Sequence, residues 1–157
     1  MVMEQLDELY RQVILEHFKN PGHAGTLDDA QVKADGANPL CGDELTYHLK
    51  LAGDRIVQIR FRGKGCAISQ AAASMLSAQL EGKTVADATR VIETMKSMMQ
   101  GRDPDPAVDL GDLEALAGVK KFPVRIKCAA LSWNVVESGL RDYGQRSEDR
   151  RQRSEKA

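Results

Sequence analysis

Three cysteines and one aspartate stand in settings that differ from those of ordinary packing residues. Cys41 lies in Asn38-Pro39-Leu40-Cys41-Gly42-Asp43, which is turn chemistry at the entry to a strand. Gly42 lets the backbone bend so that Cys41 and Asp43 can face one point. Cys66 lies in Gly63-Lys64-Gly65-Cys66-Ala67, between a strand end and a helix start. Its two glycines allow the backbone close to a ligand, and the helix N-terminus and Lys64 both favour thiolate over thiol. Neither the Walker pattern nor the six-residue dinucleotide glycine pattern is present, which argues against a phosphate loop. Cys128 shares an apolar helix face, where a packed cysteine is the ordinary reading. Arg125 and Lys127 flank it, however, and would stabilise a thiolate.

There is no CxxC pair, so spacing alone does not specify zinc. Taken together, three thiolates and one carboxylate make a four-ligand tetrahedral set suited to zinc. A hard oxygen among soft sulfurs makes the set uneven, so the oxygen or an exposed thiolate should exchange readily. Four ligand negatives against two metal positives call for compensation, and Lys64, Arg125 and Lys127 are placed to supply it. The histidines read otherwise: His17 as a packing or partner-contact residue, His48 as solvated on a polar strand face, His23 as a loop residue without a role. Met75, Met95, Met98 and Met99 fall in helical segments and read as core.

The elements that must position these residues follow from periodicity. A helix spans about Gln5 to Lys19 and stops at Asn20-Pro21-Gly22. Gln31-Val32-Lys33 suggests a short strand. Leu45, Tyr47, Leu49 and Leu51 alternate with polar residues, as do Val57, Ile59 and Phe61, with a turn at Ala52-Gly53-Asp54-Arg55; this predicts an antiparallel hairpin. A helix from Ala67 to about Glu81 closes at Gly82, and Thr84 with Asp87 caps the next. A loop at Arg102 to Pro106 precedes a short helix from Leu110 to Leu116 that ends at Gly118. Pro123 suits the first turn of a last helix, which carries Val124, Cys128, Leu131 and Val135 on one face and fades near Tyr143-Gly144. The stretch 144–157 is charged and aperiodic and reads as a disordered tail behind a single domain, 1–143. The order of elements is α+β, with helices on one face of a small antiparallel sheet.

The chain's 157 residues and 42% apolar content suffice for one domain with a real core. A formal charge of -1 and 4% aromatics give no field or stacking surface for nucleic acid, and no run approaches a membrane span. The acidic, amphipathic start lacks the form of a secretory signal, so a cytoplasmic location is expected. Three widely spaced cysteines do not make a disulfide framework.

Asn-Pro-Leu-Cys41-Gly-Asp43, Gly63-Lys-Gly-Cys66-Ala-Ile-Ser69 and Arg125-Ile-Lys-Cys128-Ala-Ala-Leu together resemble the NifU N-terminal/IscU family of iron–sulfur cluster assembly proteins, nearest its SufU branch. Leu9-Tyr10-Arg11 through His17-Phe18-Lys19-Asn20-Pro21 is similar to that family's first helix, and the likeness covers roughly Leu6 to Tyr143. The resemblance implies a three-stranded antiparallel sheet packed by about five to six helices. It implies Cys41, Cys66 and Cys128 as site thiolates and Asp43 as their carboxylate partner. IscU-type scaffolds carry a histidine before the third cysteine, where this chain has Lys127. They also carry a proline-rich chaperone-recognition segment, where this chain has Lys121-Phe122-Pro123-Val124-Arg125. Met99 to Val119 resembles the insertion of SufU-like proteins.

Two activities follow as expectations. In one, zinc sits on Cys41, Asp43, Cys66 and Cys128. Cys41 is freed when a SufS-like, pyridoxal-phosphate cysteine desulfurase docks, and it takes the persulfide's sulfur. In the other, the same thiolates hold a transient [2Fe–2S] cluster, or iron, for transfer to apo-proteins, and the protein is a scaffold and not an enzyme. A purely structural zinc module is a third reading, which the continuous core disfavours.

Overall fold

The period-two run from Leu45 onward becomes the centre of the structure. The computed structural model describes residues 2–39 and 41–156, with side chains described from 8 to 153 apart from residue 40. Strand β2 (Asp43–Ala52) pairs antiparallel with β3 (Arg55–Lys64), setting Tyr47 opposite Phe61 and Leu49 opposite Ile59. Gly53, at φ +62°, makes the turn between them. A register shift at Lys50/Leu51 brings Ile56 inside and leaves Val57 exposed. The simple alternation of Val57, Ile59 and Phe61 is corrected by this irregularity, which turns the strand by one residue.

Strand β1 (Val32–Asn38) is longer than the three residues expected and lies on the other side of β2, giving the order β1-β2-β3. Its sequence, Val-Lys-Ala-Asp-Gly-Ala-Asn, carries little apolar alternation because the last helix presses on it closely. A Cβ on Gly36 would collide with the Val135 side chain, and one on Gly139 would strike Val32 and Ala34. Asn38 pairs with Asp43, so Cys41 and Gly42 lie in the turn between β1 and β2.

Among the described residues four α-helices and one 3₁₀ run accompany this sheet: α1 (Val2–Lys19), α2 (Ala67–Leu80), α3 (Val85–Met99), the 3₁₀ run (Gly111–Lys121) and α4 (Pro123–Lys156), with α2 and α4 against the strands and the others packed mainly on helices. The α+β expectation holds. Helix α2 is buried nearly all round through Ala71, Ala72, Ala73, Met75, Leu76 and Leu80, as a central helix must be. At the start of α3, the Asp87 N–H donates to Thr84 Oγ1 at 3.1 Å, the expected cap. The segment expected as a short helix from Leu110 to Leu116 is 3₁₀ instead and runs on through Gly118 to Lys121.

Of the tail expected to be disordered at 144–157, residues 144–156 are instead helical, as α4 continues through Lys156, and residue 157 lies outside the described residues. Low apolar content removes a packing face but not helix propensity, and Arg, Gln, Glu and Lys are good helix formers. Tyr143 Oη donates to the Gly53 carbonyl at 2.9 Å and Arg146 to the Gln31 carbonyl at 3.0 Å, so the start of this extension is tied to the sheet. Among the described residues no helix is long and apolar enough to cross a membrane.

Candidate metal centre

Four elements, the β1–β2 turn, β2, α2 and α4, deliver the four candidate ligands to one end of the sheet. Cys41 rides on the β1–β2 turn, its N–H donating to the Asn38 carbonyl at 3.2 Å. Gly42 follows at φ +69°, a left-handed position that suits glycine. Asp43 opens β2 and is fully buried. A buried carboxylate needs partners, and the Cys66 N–H supplies one at 2.8 Å from Asp43 Oδ1. Cys66 is the N-cap residue of α2, so the positive end of that helix faces the same carboxylate. The close approach depends on Gly65, at φ +142°, where any Cβ would overlap Asp43 Oδ1.

Cys128 reaches the site from the second turn of α4. Its thiol donates to Cys41 Sγ at 3.4 Å, and Asn38 Nδ2 lies 4.0 Å from Cys128 Sγ. Cys41, Asp43 and Cys128 each offer a ligand atom, and these atoms lie within 4.8 Å of one another. Cys66 stands outside that mutual trio but adjoins it, its Sγ 3.9 Å from Asp43 Oδ2. Zinc–sulfur bonds of about 2.3 Å in a tetrahedron put neighbouring sulfurs about 3.8 Å apart. The Cys41–Cys128 and Cys66–Asp43 spacings are of that order, and three sulfurs with one oxygen are donor chemistry suited to zinc.

Burial pushes the Cys128 thiol well above its ordinary range, and the neighbouring Cys41, Cys66 and Asp43 push it further. Arg125 is the cation beside this cluster: the Cys128 and Cys66 sulfurs near its guanidinium hold it above its usual value. Lys64 is instead paired with Glu44 at 3.3 Å on an exposed surface, so its expected service to Cys66 is shared with that carboxylate. Lys127 lies at a mouth of about 140 Å³ over Cys41, together with Asn38, Pro123 and Val124.

The histidines are structural. His17 bonds Ser74 Oγ and Asp112 Oδ2, each at 2.8 Å, tying α1 to α2 and the 3₁₀ run. His23, at φ +69°, bonds Glu81 at 3.2 Å. His48 is buried, not solvated as expected, because its ring closes against the Leu27 backbone, whose N–H donates to Nδ1 at 3.0 Å. Sequence reasoning overlooked Asn38, which lies in the Cys41 motif itself and reaches Cys128. Its place before proline in that motif was the available signal.

The NifU-like N terminal domain family model matches residues 9–129, a span that includes all four candidate ligands. The zinc-dependent sulfurtransferase SufU of Bacillus subtilis is 49% identical over 135 residues, covering 86% of this chain and 91% of the relative. The iron–sulfur cluster assembly scaffold protein IscU of Streptococcus pyogenes is 38% identical over 141 residues, covering 90% and 88%. The crystal structure of FiSufU, a SUF-system protein of Fervidobacterium islandicum AW-1, superposes with a TM-score of 0.79 at 36% identity, covering 82% of this chain and 94% of that one. The motifs, the sheet order and these likenesses agree, and the chain belongs to the NifU-like N-terminal domain family, among the SufU-like and IscU-like proteins of iron–sulfur cluster assembly.

Proposed function

We propose that this protein is a zinc-dependent sulfur acceptor that takes persulfide sulfur onto Cys41 from a SufS-like cysteine desulfurase in the cytoplasm. The observation that carries the reading is the unequal exposure of two sulfurs 3.4 Å apart: Cys41 is half-buried on a turn, whereas Cys128 is fully buried on α4. An incoming donor can reach the first and not the second. Zinc would be held by Cys41, Asp43, Cys66 and Cys128, and when bound it keeps thiols deprotonated and protects them from oxidation. The name of the Bacillus subtilis relative supports this reading.

In the transfer, the Cys41 thiolate attacks the terminal sulfur of the donor's R–S–SH. A new S–S bond forms to Cys41 as the donor's S–S bond breaks. The donor leaves as a thiolate and Cys41 carries the persulfide, with no net oxidation. Asp43 stays oriented because its Oδ1 is held by the Cys66 N–H. Lys127, exposed at the Cys41 mouth, offers a positive charge to the approaching persulfide.

Metal analysis paired with a desulfurase-stimulation assay tests the reading. Wild type should carry about one zinc per chain and stimulate turnover. Cys41→Ser should fold but fail to accept sulfur, and normal acceptance by that variant would overturn the proposal. The alternative is a scaffold holding a transient [2Fe–2S] cluster on the same thiolates, supported by the Cys41–Cys128 pair with Cys66 beside Asp43 and by the scaffold name of the Streptococcus pyogenes relative. Cluster transfer to an apo-ferredoxin after anaerobic reconstitution, without desulfurase stimulation by the zinc form, would favour that reading.

A further inference from the structure

A second opening leads to the Cys66 side of the cluster. It is a groove of about 620 Å³ between α1, the start of α2 and the end of the 3₁₀ run, with Cys66 in its wall. Ile14, Leu15, Ile68, Val119 and Phe122 make it apolar. Phe122 is 60% exposed and Leu15 39%, and Phe18, one turn along α1 from Leu15, is 42% exposed. The apolar strip thus runs on past the groove. Exposed aromatic and aliphatic side chains grouped in this way mark an interaction surface. The charges around it have one sign. Among the described residues lining the groove, the charged ones are Arg11, Lys121 and Arg125, and none is an aspartate or glutamate, on a chain whose formal charge is -1. Among the described residues neither Arg11 nor Arg125 is ion-paired with a carboxylate, and since Arg125 also bonds the Cys66 and Cys128 sulfurs, Arg11 is the freer of the two cations.

We propose that this groove docks an acidic segment of a partner protein, seating a large apolar side chain between Leu15 and Phe122 and carboxylates against Arg11 and Arg125. Apolar burial supplies the anchor, and the cations select an acidic partner and speed its approach. The Phe122-Pro123-Val124 ridge separates this entrance from the mouth over Cys41, since Phe122 lines one and Val124 the other. The partner is therefore brought beside Cys66 while the Cys41 mouth stays open. The docking itself does not depend on sulfur acceptance by Cys41.

The test is selection from a random peptide library displayed on phage, panned on the full-length, zinc-loaded protein, with affinities then measured by fluorescence anisotropy. Enriched peptides should carry Leu, Ile or Phe flanked by Asp or Glu. They should bind about tenfold or more weakly to Arg11→Glu and to Leu15→Asp, and more weakly as salt rises. Both positions are exposed, and unchanged thermal midpoint and zinc content confirm that the variants are folded. Phe122→Ala gives an independent reading from the other wall. Enriched peptides lacking that composition, binding indifferent to these substitutions, or no enrichment above a blank surface would each overturn the proposal. Cys41→Ser should bind the peptides as wild type does, so a failed sulfur-acceptor reading leaves this result standing.

Discussion

The backbone of Cys66 holds the side chain of Asp43: its N–H lies 2.8 Å from Oδ1, while Oδ2 faces the Cys66 sulfur at 3.9 Å. One carboxylate therefore supports the local fold and is placed to serve the proposed ligand set. The two roles separate by substitution. Asp43→Ala leaves the Cys66 N–H without its acceptor and should cost about 1–3 kcal/mol of stability. Asp43→Asn can keep the acceptor but loses the charge, so its thermal midpoint should fall less while zinc affinity still drops. Thermal melts of metal-free protein and competition with a chromophoric zinc chelator measure the two effects.

Gly65 makes that contact possible. Gly65→Ala places a methyl group onto Asp43 Oδ1 at a backbone angle that L-residues avoid. The strain should cost about 1–3 kcal/mol and weaken zinc binding, although residue 65 is not a ligand. Urea unfolding with and without zinc reads both effects, and unchanged zinc affinity would contradict the account.

Reactivity should follow exposure. In the metal-free protein at mildly alkaline pH, iodoacetamide should alkylate Cys41 well before Cys128, whose thiol burial holds in the protonated form. Peptide mass spectrometry over a time course gives the order. Equal rates would mean that α4 does not shield its cysteine.

Away from the site, acid stability should depend on Glu81. Partial burial pushes this carboxyl up, but the Ile59 N–H, His23 and Arg60 outweigh it and hold the group below its ordinary value. A carboxyl depressed in the folded state stabilises the fold above its unfolded value, about 4.5, and that contribution disappears as pH falls through the folded value. Glu81→Gln should therefore be less stable than wild type at neutral pH and lose less on acidification. Urea midpoints from neutral pH down to about pH 3 test the sign.

The helical extension should matter little to the site. Deleting residues 144–157 removes the Arg146 bond to Gln31 and a mostly exposed run of helix. Helicity by circular dichroism should fall, stability should change by less than about 1 kcal/mol, and zinc affinity should not move.

Much of the fold was legible because it was written in periodicity. The β2–β3 hairpin, the Thr84 cap and the Pro123 start of α4 all rest on local rules. The features that were missed are non-local. Strand β1 has little alternation of its own, since Gly36 is there for contact with Val135 across the core. His48 sits at a polar position of its strand but is covered by the Leu27 loop. The end of α4 shows that a charged segment without a packing face can still be helical. At the site, the turn at Cys41 and the glycines before Cys66 could be read from sequence. The Asn38 contact and the dominance of Arg125 over Lys64 could not, because each depends on where α4 crosses the sheet.

That crossing has a consequence for how the site comes into being. Cys41 and Cys128 are 87 residues apart along the chain, yet their sulfurs are in contact. Contacts of such long sequence separation close only when most of the chain has been ordered. The fully liganded pocket therefore cannot exist in a partly folded intermediate. Metal affinity at full strength becomes a property of the finished molecule, and occupancy draws the folding equilibrium toward completion by mass action. If zinc is held as proposed, loading is in this sense a checkpoint: a chain whose last helix has not docked would lack Cys128 as a donor and hold the ion weakly.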